Sequence, residues 1–469
     1  MTLRRVSHCF VLSLACLVTV LSFVPGWAQD QAAADAPASP LKTLELADGD
    51  SVVFLGDSIT HQCLYTQYVE DYFYTRFPGK RLKIHNAGVG GARAWDALAR
   101  FDDDVAAYKP KYVTVLLGMN DGTYRPFDQA TFDTYHKDMT ELVGKLVGIG
   151  AKPILMTPTM YDSRAARLYA RPNRKAPEDR LELYNSVLSY YGTWLREVAV
   201  EHGHGFVDMW SPLNNITLAE RKTDASFTLI RDAVHPDAPG QVVMAVAIIN
   251  DLALQKQLSN IRVILAGKGE PRSQVSGGAI SDLKRTNDGV EFTWLANGLP
   301  WVVPEEAQLG AKLTKLGHKH SREALEVHGL AAGRYELSID GEVVGAYAAE
   351  ALSRHIELQE NAKTPQYQQA LQVANLNKER NAGPVRSLRG EWSRFQRYAR
   401  EKRDAADDDA RQKVEEKYPD IGAINDRSAV HNAAAKEIED RIFEVNQPKP
   451  RHYVLKRIAP QPKKPAAAN

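Results

Sequence analysis

The stretch SVVFLGDS, residues 51–58, decides the fold. Four apolar residues, Val52 to Leu55, stop on Gly56 and hand over at once to Asp57 and Ser58. The run is bounded by glycine, rich in valine and too short for a helix, so it reads as a buried strand. RLKIHNAG, KYVTVLLGMND, KPILMTP and HGFVDMW repeat the pattern. Between them lie helix-length segments such as DQATFDTYHKDMTELVGKLVGIG, apolar at three- and four-residue spacing. Strand and helix in alternation predict a five-stranded parallel sheet covered on both faces. In such sheets the ligand crevice lies beyond the carboxyl ends of the strands. Gly56–Ser58, Asn86–Gly91 and Gly118–Asp121 all fall at those ends, so three loops are expected on one rim.

Outward from this core the chain changes character. MTLRR followed by CFVLSLACLVTVLSFV and PGWA reads as a secretory signal peptide over residues 1–28, so export to the periplasm or beyond is expected. An Ala/Pro-rich linker follows at 29–45, and the α/β domain is expected at 46–258. Residues 259–355 carry two hairpin signals, Asn287-Asp288-Gly289 and Asp340-Gly341, which predict a small antiparallel β module. Residues 356–445 read as a charged helical extension with a solvated face, and 446–469 as a basic, Pro-rich, unstructured tail. Lys plus Arg number 59 against 58 Asp plus Glu, which removes any global pull toward nucleic acid or anionic membrane. Past the leader only Cys63 remains, so no intramolecular disulfide is available.

A serine hydroxyl needs a base before it can attack. His61 is close in sequence but has no carboxylate nearby to orient it. RDAVHPDAPG offers more: Asp232 stands three residues before His235, a spacing that can set the carboxylate against the imidazole. Donors for an oxyanion are at hand in the Gly91 amide, with Gly90 as the alternative, in the Asn120 side chain and in the Ser58 amide. Asp57 and Asp121 read as loop-organising acceptors, and Cys63 as a buried, inert thiol. Arg93, Trp95, Tyr124, Arg125 and Tyr161 follow these loops and are candidates for lining a substrate cleft. Trp95 and Tyr124 suit stacking on a sugar ring and suit the core equally.

The ordered set Gly56-Asp57-Ser58, Gly91 within NAGVGGAR, Gly118-Met119-Asn120-Asp121 and Asp232-Ala233-Val234-His235 resembles the SGNH (GDSL-type) hydrolase superfamily. The resemblance covers about residues 50–255 and implies a flavodoxin-like three-layer α/β/α sandwich. It further implies Ser58 as nucleophile, Asp232 and His235 as its partners, and Ser58, Gly91 and Asn120 as the oxyanion hole. Ile59 stands where the family name has leucine. The G-x-S-x-G elbow of α/β-hydrolases is absent, since Thr60 lies two after Ser58. The function expected is a secreted serine esterase removing small acyl groups, acetyl above all, from carbohydrate, with no metal or organic cofactor. A lysophospholipase or thioesterase, or a non-catalytic carbohydrate-binding surface protein on this scaffold, are the alternatives. No nucleic-acid partner or membrane span is expected after leader removal.

Overall fold

A computed structural model describes residues 41–169, 178–265, 267 and 269–459, without the side chains of residues 178–182. The expected leader, most of the linker and residues 460–469 lie outside the described residues. Among the described residues no helix is long and apolar enough to cross a membrane.

Strands β1 (Ser51–Gly56), β2 (Lys83–Gly88), β3 (Tyr112–Leu116), β4 (Lys152–Met156) and β5 (Gly205–Val207) form one sheet in the order β2-β1-β3-β4-β5, every pair parallel. This is the doubly wound order in which the chain reverses direction between β1 and β3. Every residue of β1 and β3 is buried, because helices cover both faces. Helices α1 (Ser58–His61) and α2 (Leu64–Arg76) follow β1. Then come α3 (Ala94–Ala99), α4 (Phe101–Asp104), α5 (Gln129–Gly148), α6 (Glu178–His202), α7 (Trp210–Glu220) and α8 (Ala238–Asp251). Aromatic packing joins α5 to α6, where Tyr135 stacks on Tyr191 at 4.6 Å. Helix α2 instead packs against α8.

Two further sheets follow. Strands β6 (Gln257–Ile264), β7 (Arg272–Ser276), β10 (Arg322–His328) and β13 (Ile356–Glu357) are ordered β13-β10-β6-β7. Strands β8 (Gly278–Arg285), β9 (Gly289–Ala296), β11 (Arg334–Ile339), β12 (Glu342–Ala348) and β14 (Arg451–Ile458) are ordered β12-β11-β14-β9-β8. The hairpins β8–β9 and β11–β12 form as the turn signals predict, and the second turns on Asp340 and Gly341, both at positive φ (53° and 88°).

Two expectations are corrected here. The β module is not purely antiparallel, since β6 runs parallel to β10, and it does not close within 259–355. The crossover between those strands carries the β7–β9 segment and two short helices, Gln308–Thr314 and Leu316–His320, long enough for a parallel return. The tail 446–469 is not unstructured along its length: β14 sits inside the third sheet between β11 and β9. In RHYVLKRI the inward residues Tyr453 and Leu455 are buried, while His452 and Lys456 point outward. Flanking basic residues masked a two-residue alternation.

The helical segment comprises α9 (Pro365–Arg380), α10 (Arg386–Asp404) and α11 (Ile424–Val445), with a shorter helix, Asp408–Lys417, before α11. Its charges are not all solvated, contrary to expectation. Arg380 pairs with Glu70 at 3.1 Å, Asn377 donates to Asp71, and Arg389 forms a bidentate pair with Asp104, all buried.

Candidate active site

The end of β1 is shaped by what fits behind it. A Cβ on Gly56 would lie 2.1 Å from Thr60 Oγ1, and one on Gly88 would lie 2.4 Å from the His61 nitrogen. Glycine at both strand ends therefore lets the first turn of α1 press directly onto β2. Asp57 caps that turn, its Oδ1 accepting from the Ile59 N–H at 2.9 Å. Asn86 fixes it from β2, donating to the Thr60 carbonyl at 2.8 Å. The turn leaves Ser58 at the rim of the sheet, only partly buried.

Opposite stands the loop before α8. Asp232 Oδ1 accepts from the backbone N–H groups of Val234 and His235, at 3.0 and 2.8 Å. Its Oδ2 lies 2.7 Å from His235 Nδ1, and His235 Nε2 lies 2.8 Å from Ser58 Oγ. Three side chains separated by up to 177 positions thus form one hydrogen-bonded line. The carboxylate holds the His235 imidazole above its ordinary value of 6.5. In return, despite opposing desolvation, the hydrogen bonds from His235 and Val234 bring Asp232 down to about 2. Ala233, at φ +73°, makes the tight turn between them, and its carbonyl accepts from the Asp162 N–H. The Asp162 carboxylate in turn takes both Arg221 and Thr228, at 2.7 and 2.6 Å, bracing the histidine loop from behind.

Ser58 Oγ is paired with His235 and not with the sequence-near His61. Burial and the nearby Arg389, Arg386 and Arg100 push His61 down to about 4, and its Nδ1 is buried without a partner among the described residues. Cys63 is buried, its thiol pushed up to about 12 by desolvation.

The expected donors gather on the same rim. Asn120 Nδ2 lies 3.1 Å from the Ala92 carbonyl and 3.4 Å from Asp57 Oδ2, and Tyr124 donates to Asn120 Oδ1 at 3.1 Å. Gly91 adopts φ +69°, and its N–H has no acceptor among the described residues. Gly90, its sequence alternative, is its exposed neighbour. Asp121 ties the two loops together, its oxygens accepting from the Ala94 and Gly118 N–H groups at 2.8 and 2.9 Å. Burial pushes both Asp57 and Asp121 up to about 7, against the pull of those backbone donors.

The cleft candidates divide. Tyr124 is half-buried beside Asn120 and packs on Tyr184 at 5.0 Å. Tyr161 is almost wholly buried and its backbone N–H donates to Asn185 Oδ1, which makes it mainly a core residue. Arg93 and Arg125 are exposed. One face of Trp95 already carries the Arg403 guanidinium, 3.9 Å from the ring centroid.

Several residues at the site have no signature in sequence. Arg100 donates to the Ala87 carbonyl at 2.8 Å and the Gly56 carbonyl at 3.3 Å, holding the ends of β2 and β1. It is itself held by Asp104, which also accepts from His85 and Arg389. From α10, Gln396 and Arg400 reach the carbonyls of Gly90 and Gly91. Only the pairing of distant segments reveals them.

Residues 54–243 match the model of the GDSL-like lipase/acylhydrolase family. The chain is 26% identical over 235 residues to the acetylxylan esterase of Geobacillus stearothermophilus, covering 45% of this chain and 98% of that protein. An 80-residue stretch is 35% identical to an uncharacterised lipoprotein of Bacillus subtilis, of which it covers 32%. A gut microbial diltiazem-metabolizing enzyme has a similar structure, with a TM-score of 0.74 and 26% identity over 89% of this chain and 99% of that one. That likeness extends well past the α/β sandwich into the added sheets and helices. The ordered motifs, the sheet order and the family match lead to one conclusion: residues 54–243 form a GDSL-like (SGNH-type) hydrolase domain, of a kind that cleaves ester bonds.

Proposed function

We propose that the protein is an exported serine esterase that deacetylates O-acetylated carbohydrate, with Ser58, His235 and Asp232 as its reacting line. The observation that carries this reading is the continuous relay from Ser58 Oγ through His235 to Asp232, at 2.8 and 2.7 Å. In the first step Ser58 Oγ attacks the ester carbonyl carbon while its proton passes to His235 Nε2. Asp232 holds the ring in the tautomer whose Nε2 is free to accept, and stabilises the imidazolium that forms. The carbonyl oxygen becomes an alkoxide, facing the N–H groups of Ser58 and Gly91 and the amide of Asn120. The imidazolium then gives its proton to the departing alcohol as the carbon–oxygen bond breaks, leaving Ser58 acylated. Water, deprotonated by the same imidazole, repeats the sequence and releases the acid.

Two features favour a short acyl group on a sugar. The relative named an acetylxylan esterase covers this same sandwich. His235 and Asp232 are also partly open to solvent, which suits a bulky polymer approaching from outside better than a lipid chain threaded into a tunnel. Export rests on the leader-like first 28 residues and is tested by finding Ala28 removed in the mature protein. The substrate test is a panel of acetylated xylooligosaccharides beside p-nitrophenyl acetate and longer acyl esters. Acetyl preference is expected, and Ser58→Ala should lower kcat by roughly 10⁵-fold or more while the fold survives. Equal rates on long-chain esters favour the lysophospholipase or thioesterase alternative. No cleavage of any ester, with retained glycan binding, favours the binding protein.

A further inference from the structure

We infer that helix α10, outside the family-matched region, supplies two positioning residues for the oxyanion site, Gln396 and Arg400. This rests on the reading that Gly91 N–H faces the developing alkoxide. Gln396 Nε2 donates to the Gly90 carbonyl at 2.9 Å. Arg400 Nη2 donates to the Gly91 carbonyl at 2.7 Å, while its Nε and Nη2 form a fork on Asp96 at 2.7 and 2.6 Å. The peptide plane explains the consequence. In a trans peptide the Gly90 carbonyl and the Gly91 N–H point in opposite directions. Holding that carbonyl against α10 therefore turns the N–H away from α10.

Three features argue against mere packing. Gly90 is exposed, so its carbonyl would meet water if the peptide turned outward and does not require a protein donor. Glycine on both sides of the bond leaves the peptide free to rotate. Gln396 is buried, its Oε1 has no partner among the described residues, and its amide makes no other hydrogen bond there. Burying an amide for one bond to a carbonyl that water could satisfy adds little stability. What the contact does accomplish is to pick one of two peptide orientations. Arg400 supports this from the next peptide, and through Asp96, which also accepts the Arg93 N–H, fixes the loop to the start of α3.

The test uses full-length Gln396→Leu, Arg400→Ala and Arg427→Ala, with active sites counted by an acylating titrant. Arg427, on α11, pairs with Glu391 of α10 but touches no loop of the site, so it reports general loosening of α10. Gln396→Leu keeps the side-chain volume close and removes a buried amide, so its Tm should equal or exceed the parent's. Its kcat per titrated site should fall roughly tenfold, with KM within about twofold. Its affinity for a trifluoromethyl ketone, which Ser58 converts to a hemiketal alkoxide in the same hole, should fall by the same factor as kcat/KM. Arg400→Ala should lower both kcat and Tm. Arg427→Ala should lower Tm alone.

Wild-type kcat per site in Gln396→Leu overturns the inference. So does a loss of kcat without a matching loss of ketone affinity, or an equal loss of kcat in Arg427→Ala. Ser58→Ala keeps the two claims apart. If that variant stays active, the underlying reaction assignment fails. If it is inactive while Gln396→Leu is unimpaired, only the role of α10 fails.

Discussion

The rim of the parallel sheet and the sheet that holds β14 are built on opposite plans. At the rim, Ser58, Gly91 and Asn120 sit within a few positions of the strand ends that carry them, while Asp232 and His235 share one short loop before α8. Asp57 caps the turn bearing Ser58, and Asp232 accepts the N–H of His235. In the third sheet the middle strand arrives from residues 451–458, more than 100 positions after its neighbour β11. Between the two lie helices α9 to α11, which bind the halves through buried ion pairs. Local caps set each turn, while the contact that joins Ser58 to His235 still spans 177 positions. Non-local closure suits stability and positioning, because it makes the chain's last segments a condition for the earlier ones.

That contrast can be broken at its weakest seam. Removing residues 449–469 takes away β14, including the buried Tyr453 and Leu455, and leaves β9 and β11 without their shared partner. The β module should lose its folded state, read as rapid proteolysis within residues 278–348 and loss of cooperative unfolding. An unchanged cleavage pattern would show that the sheet closes without it.

Next in size is the joint between helices and sandwich. Arg389→Ala leaves Asp104, fully buried, with only Arg100 and His85 around it. A cost of about 3–5 kcal/mol is expected in denaturant unfolding. Asp104 stays ionised in the parent because Arg389, His85 and Arg100 hold its carboxyl well below the usual range against strong desolvation. A cost under about 1 kcal/mol would mean that the joint is not what fastens the two regions.

At the rim itself, Asn120→Ala should lower kcat roughly 10²–10³-fold with little change in stability, since on the proposed reading one oxyanion donor is lost. The comparison with Gln396→Leu then grades a direct donor against one that acts through a peptide.

The smallest effect expected is in pH dependence. His235 must be neutral to accept the serine proton, so kcat/KM should rise with pH. Its hydrogen bond to Asp232 raises the imidazole above 6.5, so the midpoint should lie above that value. Asp232→Asn should move the limb to lower pH while reducing kcat. For stability the linkage runs the opposite way: the pair's contribution is present below pH 6.5 and is lost as pH rises through the raised value. Both side chains are partly exposed, so the change in Tm should be slight. A rate that is flat from pH 5 to 8 would remove His235 from the role of base.

Sequence by itself determined the parallel sheet, the two hairpin turns and the candidate site residues. Each of these is written in a short window: apolar runs ending in glycine, positive-φ turn residues, and an Asp three positions before a His. Such patterns constrain the backbone over a few residues and need no distant partner to be read. Tertiary structure alone decided that Trp95 lies under Arg403, that Tyr161 belongs to the core, that RHYVLKRI is a central strand, and that α10 grips the Gly90–Gly91 peptides. The physical reason is common to all four. A side chain on a charged helix, or an alternating strand flanked by basic residues, carries no sign of which surface will bury it. Only when distant segments desolvate one another does an arginine become a clamp rather than a solvated charge.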